Sequence, residues 1–354
     1  MTRRYLVVGN PTARSGEARA HLSRALEGLA RRGARGELVA TEPGGRTIAL
    51  VREAIDRLAP DAVIAMGGDG TFNEVAQAIL GSEVRPPLGM LPMGTANDQA
   101  RSLGVRPGPR AIEENLDLVL AGHVRRIDAG ECAMLDEAGH GVARTMFFDS
   151  IGWGLQPEIL AKRNEDRARV ERIPILRAIY RGQAVFVGAT IERFLASMRR
   201  PVEFDATIVA DGRTVEYRGL TDLIIGGTAI HAGEWVLDRF SEPDDGLFEL
   251  VPMQGGLDWW SKAVRDYAKL PLFQEDLTAI GIRHSEGFSA SRFELSFSRR
   301  AAVPTQVDGD LWVSGTRFRV EVHARALPVI TPERFDPPWR FSRTGPRRRS
   351  DVHA

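Results

Sequence analysis

Ala62-Val63-Ile64-Ala65-Met66 is an unbroken apolar run that leads directly into Gly67-Gly68-Asp69-Gly70-Thr71. A run apolar on both sides of the pleat is a strand buried on both faces, and such strands belong to parallel sheets covered by helices. Three glycines at the junction let backbone N–H groups turn inward and approach a polyanion with no Cβ in the way. Gly68 is expected to be needed for that approach. A helix beginning near Asn73 would add the positive end of its dipole. On this loop alone, a phosphate cradle and a plain Asp-Gly turn both stay open.

The flanking sequence repeats the pattern. Leu6 to Val8 and Glu37 to Ala40 read as strands, and Leu88 to Leu91 as a further one. Leu22, Ala25, Leu26 and Leu29 mark one helix face between them, and Ile48, Val51, Ile55 and Leu58 mark another. Strands alternating with crossover helices predict a doubly wound α/β domain over residues 1–130. In such a sheet ligands bind outside the carboxyl ends of the strands. Three polar loops fall there: Asn10-Pro11-Thr12-Ala13-Arg14-Ser15-Gly16, the glycine loop, and Pro92-Met93-Gly94-Thr95-Ala96-Asn97-Asp98. Three such loops on one edge favour a binding crevice over three turns.

Beyond Gly130 the period changes from helical to strict alternation. Phe293, Leu295 and Phe297 alternate with Arg292, Glu294, Ser296 and Ser298, and Phe318, Val320 and Val322 do the same among polar neighbours. Asp211-Gly212 is a hairpin signal between Phe204 to Val209 and Thr214 to Tyr217. Residues 131–324 therefore predict an all-β sandwich. Two helical insertions interrupt it, Arg172 to Arg200 and Leu257 to Leu270 with Trp259 and Trp260. Residues 336–354 form an arginine-rich tail.

Charge and composition exclude several classes. The 47 basic residues balance 47 acidic ones, which speaks against a nucleic-acid binder. All three lysines, Lys162, Lys262 and Lys269, lie beyond the first 160 positions, so no Walker-type phosphate lysine accompanies the glycine loop. Cys132 is alone and reads as a small buried hydrophobe in a reducing compartment. Tyr5 to Val8 is too short for a signal segment, and no 18-residue apolar stretch occurs. A cytoplasmic protein is expected. The seven histidines show no metal-ligand spacing.

The order Gly67 to Thr71, Asn73-Glu74-Val75, then Gly94-Thr95-Ala96-Asn97-Asp98-Gln99-Ala100-Arg101 resembles the diacylglycerol kinase catalytic domain family, which includes bacterial lipid kinases and the sphingosine and ceramide kinases. Asn10-Pro11, Asp244-Asp245-Gly246-Leu247-Phe248 and Asp308-Gly309-Asp310 extend the likeness over nearly the whole chain. Gly-Gly-Asp-Gly-Thr alone is shared with NAD kinases, whereas Gly-Thr-Ala-Asn-Asp is far more selective.

The resemblance implies an NAD-kinase-like nucleotide domain, with a final strand, Leu327 to Ile330, returning to it within residues 325–335. It places ATP against Asn10, Pro11, Thr12, Ala13, Arg14, Thr41, Gly68, Asp69, Gly70, Thr71, Phe72, Asn73, Glu74, Gly94, Thr95, Asn97 and Asp98. A structural magnesium site falls on Asp245 and Leu247 with Glu242 nearby, and Asp310 stands where the family has a glutamate acting as base on the lipid hydroxyl. Asp149 stands where an asparagine is usual. Phosphoryl transfer without a lysine is chemically sound, because amides, Mg²⁺ and carboxylates together neutralise the γ-phosphate. Asp69 or Asp98 is a candidate Mg²⁺ ligand, and each also reads as a helix cap.

These features predict an ATP- and Mg²⁺-dependent kinase of diacylglycerol or a related lipid. It would act peripherally at the inner face of the membrane, without a transmembrane segment, and a homo-oligomer is compatible with the sequence. The arginine-bearing insertions are candidates for the lipid surface, and equally for a core with a solvated edge. The alternatives are an NAD kinase-like enzyme and a nucleotide-binding regulator that no longer transfers phosphate.

Overall fold

Four parallel strands with helices on both faces build the first half. The computed structural model describes residues 2–155, Pro157, Leu160, 203–231, 235–236, 238, 241–255, 287–298 and 302–337. Both helical insertions, with Trp259 and Trp260, and the tail beyond residue 337 lie outside the described residues. The elements of the first half are β1 (Arg4–Gly9), α1 (Glu17–Arg31), β2 (Arg35–Ala40), α2 (Arg46–Leu58), β3 (Ala62–Gly67), α3 (Asp69–Gly81), β4 (Leu88–Pro92), α4 (Asp98–Ser102) and α5 (Ile112–Ala121). β2 pairs with β1, β1 with β3 and β3 with β4, all in parallel.

The sheet's two faces are buried by different helices. Leu6, Val8, Val63 and Ala65 pack under Val51 and Ile55 of α2 and Val75 and Ile79 of α3. Tyr5, Val7, Ile64 and Met66 pack under Leu22 and Leu29 of α1 and Leu116 of α5. Leu6, Val7 and Val8 are wholly buried, which stabilises the fold by roughly 1.5–3 kcal/mol for each such side chain.

The second half comprises β5 (Val124–Leu135), β6 (Gly141–Phe147), β7 (Ser150–Gly154), β8 (Phe204–Ala210), β9 (Arg213–Leu220), β10 (Asp222–Gly226), β11 (Ile230–His231), β12 (Trp235–Val236), β13 (Phe248–Met253), β14 (Phe288–Ala290), β15 (Arg292–Ser298), β16 (Thr305–Val307), β17 (Asp310–Leu311) and β18 (Arg317–Ile330). One sheet layer contains β5, β6, β8, β9, β15 and β18, and the facing layer runs β14-β13-β10-β7-β16-β17. Phe147, Trp153, Phe293 and Phe318 fill the space between the layers. The Asp211-Gly212 hairpin is present, with both residues at positive φ (46° and 86°) as its tight turn requires.

The sandwich and the nucleotide-type sheet share strands. β18 pairs with β15 and β5 over its first half, then reaches β4 in parallel at Val329 while still paired with β5. A register shift between His323 and Leu327 marks the passage from one core to the other, and Arg325 there has φ 51°. The change of period near Gly130 thus falls inside β5. The returning strand is the end of a 14-residue strand.

Candidate functional site: an interdomain cleft

Because β1 to β4 are parallel, the loops after them open on one edge, as the sequence requires. Asn10 accepts hydrogen bonds from the Thr12 N–H (2.9 Å) and hydroxyl (2.8 Å), shaping the first loop. Pro11 and Ala13 lie in the same loop. Thr41 follows β2 and donates its N–H to the Gly9 carbonyl at 3.1 Å.

The glycine loop and the loop after β4 form one braced unit. The Met93 N–H bonds to the Gly67 carbonyl at 2.7 Å. Asn97, in the left-handed region at φ 55°, clamps Gly94 from both sides. Its Oδ1 accepts the Gly94 N–H at 2.8 Å and its Nδ2 donates to the Gly94 carbonyl at 2.9 Å. Asp69 accepts the Asn97 N–H at 2.8 Å, so its carboxylate supports the start of α4 across the two loops. Burial raises the Asp69 carboxyl, against the lowering effect of the amides of Asn97 and Gln99.

Gly68 has an ordinary extended conformation (φ −95°, ψ −166°). A Cβ on it would stand 3.1 Å from the Gly94 Cα, and a Cβ on Gly94 would stand 2.5 Å from the Gly68 Cα. The missing Cβ of Gly68 thus serves close contact between the two loops. Gly70 is the opposite case, with nothing within 4 Å of a Cβ placed there. α3 also begins at Asp69 and not near Asn73, so Gly70, Thr71, Phe72, Asn73 and Glu74 lie on its first turns. Phe72 points inward to the core at 3% exposure.

Opposite this helix start, the β16–β17 hairpin carries Asp308-Gly309-Asp310. A cleft of about 450 Å³ between them is lined by Gly70, Thr71, Asn73, Glu74, Asp308 and Asp310, with Thr145, Val307, Leu311 and Trp312. Gly94, Thr95, Asn97 and Asp98 are not part of this lining, and Asn97 lines a separate small cavity with Gly67, Gly68 and Asp69. Glu74 and Asp310 face each other, and Glu74 is raised first by burial, with Asp310's charge adding to it.

Asp308 joins the two halves, a role that sequence reasoning missed. It receives the Asn73 side-chain amide at 2.6 Å and the N–H groups of Phe148 (3.0 Å), Asp149 (2.9 Å) and Ser150 (3.0 Å). Burial pushes its carboxyl up to about 6, opposed by these donors. The Asp-Gly-Asp motif singles out both acids; that the first is gripped by residues so distant in sequence is visible only in three dimensions.

The candidate magnesium residues gather elsewhere, beside the register shift of β18. Asp244 is bound by the Arg125 guanidinium through two bonds of 2.8 Å, Glu242 lies 3.7 Å from the same guanidinium, and Asp245 accepts the Leu247 N–H at 3.1 Å. Asp128 receives the N–H groups of Gly246 (2.7 Å) and Arg325 (2.6 Å). Burial raises Asp128, and the nearby Asp245 and Asp244 add to it. This surplus of carboxylate oxygen suits a hard cation such as Mg²⁺ at Asp245 and Glu242, with Arg125 already sharing the compensation.

Residues 4–132 match the diacylglycerol kinase catalytic domain. Over 132 residues the chain is 36% identical to the diacylglycerol kinases of Staphylococcus aureus strains MRSA252 and JH9, a match covering 37% of this chain and 40% of each relative. The matched part is thus well under half of those proteins. Over 94% of its length the chain shares its fold with a crystal structure of a diacylglycerol kinase from Bacillus anthracis (TM-score 0.65, 18% identity, 97% of the other chain). A yeast NADH kinase complexed with NADH is more distant (TM-score 0.51, 10% identity, 93% and 82%). The stretch that matches the diacylglycerol kinase catalytic domain therefore includes the loops that form the braced edge, and the sandwich is shared at the level of fold.

Proposed function

We propose that this chain transfers the γ-phosphate of ATP to a hydroxyl of diacylglycerol or a related lipid, giving a product such as phosphatidic acid. The observation that carries the reading is the cleft itself, in which the start of α3 and an exposed carboxylate, Asp310, face one space. The helix start and Gly70 offer N–H donors and close backbone approach to phosphates. Thr71, Asn73 and Glu74 orient them, and the loops of Asn10 and Thr41 hold the rest of the nucleotide. Mg²⁺ bound with the nucleotide would screen the charge of the transferring group, with Glu74 and Asp310 within reach of it.

In the transfer, Asp310 accepts the proton of the lipid hydroxyl as its oxygen bonds to the γ-phosphorus and the bond to ADP breaks. Asp69 acts from behind by fixing α4 through Asn97. The bound ion at Asp245, Leu247 and Glu242 would hold the joint between the two cores. Among the described residues no helix is long and apolar enough to cross a membrane, and the lipid is met by peripheral attachment at the membrane's inner face.

Transfer of labelled phosphate from ATP to diacylglycerol, ceramide and sphingosine in mixed micelles, with NAD as a control acceptor, tests the reading. Labelled phospholipid is expected, while labelling of NAD alone would transfer the chain to the NAD kinases. Nucleotide binding with no acceptor labelled would make it a regulator.

A further inference from the structure

Outside the lining of the cleft, three side chains that the kinase reading leaves unused as a group come together. Asp98 opens α4, Asp149 precedes β7, and His231 ends β11; a carboxylate oxygen of each acid and an imidazole nitrogen all lie within 4.8 Å of one another. Asp98 and Asp149 are each only 6% exposed. The three segments are held independently. The Ile230 N–H bonds to the Ser102 hydroxyl at 3.1 Å, fixing β11 against α4, and the Asp149 N–H bonds to Asp308 at 2.9 Å.

The charge balance around Asp149 is a separate observation. Its carboxylate receives the hydroxyls of Thr228 and Ser150. Among the described residues no arginine or lysine pairs with it, and the charged groups that face it are Asp98, Asp308 and Asp69, all acids. A buried carboxylate ringed by acids must be neutralised by a proton or by a cation.

We propose that Asp98, Asp149 and His231 bind a divalent metal ion that accepts nitrogen as well as oxygen, of which Zn²⁺ is the representative. Zn²⁺ holds carboxylate oxygen and imidazole nitrogen at about 2.0–2.2 Å in tetrahedral geometry, so two of its ligands stand roughly 3.5 Å apart. The trio needs little closure to reach that spacing. An imidazole in the set favours such an ion over Mg²⁺ or Ca²⁺, which prefer oxygen alone. The Thr228 hydroxyl on Asp149 is the kind of outer contact that orients a ligating carboxylate. The ion would join α4 of the first core to β7 and β11 of the second, at a position distinct from the acids lining the cleft.

The test is calorimetric titration of the full, chelator-treated chain with Zn²⁺ alone, without nucleotide, followed by thermal melting. One equivalent of tight binding and a raised melting temperature are expected. Asp149→Asn preserves shape, and His231→Gln removes the imidazole; each is expected to weaken Zn²⁺ binding by at least about 100-fold, while Asp310→Asn leaves it unchanged. Millimolar Mg²⁺ is expected not to displace the ion. Absence of binding in the parent, parent-like binding in both variants, or displacement by Mg²⁺ would overturn the assignment. This inference does not rest on the kinase reading, since its readout involves neither ATP nor lipid.

Discussion

Gly70→Ala separates the two uses to which this site puts its glycines. Gly70 occupies the first turn of α3, is exposed, and has nothing within 4 Å of the place a Cβ would take, so an alanine meets no protein atom there. Alanine is the better helix former by about 0.5–1 kcal/mol. A melting temperature unchanged or raised by roughly 1–3 °C is therefore expected. The open space in front of Gly70 is the cleft, however, and a phosphate seated on the helix start would be pushed outward by the new methyl group. Hydrogen bonds to a charged group contribute about 1.5–3 kcal/mol each. Loss of one lowers affinity on the order of 10- to 100-fold. Differential scanning calorimetry and titration with a non-hydrolysable ATP analogue measure both quantities on one sample. Parent-like nucleotide affinity in a folded Gly70→Ala protein would refute the placement of phosphate over this turn.

Gly94→Ala is expected to do the reverse at the level of the fold, because its Cβ would stand 2.5 Å from the Gly68 Cα; a melting temperature equal to that of the parent would contradict the loop packing. Asp310→Asn is expected to retain ATP affinity while slowing transfer at least ~10²-fold, and Asp310→Glu to be tolerated; single-turnover rates decide. Asp308 holds its proton to about 6 when folded, against 3.8 for the ordinary carboxyl. Its contribution to stability is thus full below the lower value and lost as pH rises through about 6. The unfolding free energy of the parent minus that of Asp308→Asn is expected to fall by on the order of 1–2 kcal/mol between about pH 5 and 7. A pH-independent difference would count against the raised carboxyl.

The elements that buried one whole run or alternated cleanly were legible. β3, α1 and α2 stand where periodicity puts them, since Leu22, Ala25 and Leu29 are all buried on one face of α1. Local signals failed where the controlling contact is remote. Two glycines delay the expected start of α3, yet the N–H groups of a helix's first turn need no intrahelical partner, so Gly70 is admitted there. That Gly94 lies against Gly68 is signalled by nothing nearby in sequence. Asp308 and Asp310 are equivalent on paper; the amides of residues 148–150 and the Asn73 side chain distinguish them. Asp98, Asp149 and His231 likewise carry no common spacing, because three separate segments deliver them.

β18 also governs the order in which the chain can be completed. Its last residues seal the open flank of β4, so the sheet begun by the first strand is closed by nearly the last described element. During synthesis from the N-terminus, β1 to β4 and their helices emerge long before that strand exists. They must wait with one hydrogen-bonding edge bare, the circumstance in which strands pair with the wrong partner. Residues 4–132, expressed alone, would keep that edge permanently. The stretch that carries the kinase motifs is therefore, in folding terms, a dependent half, and its solubility rests on residues at the far end of the chain.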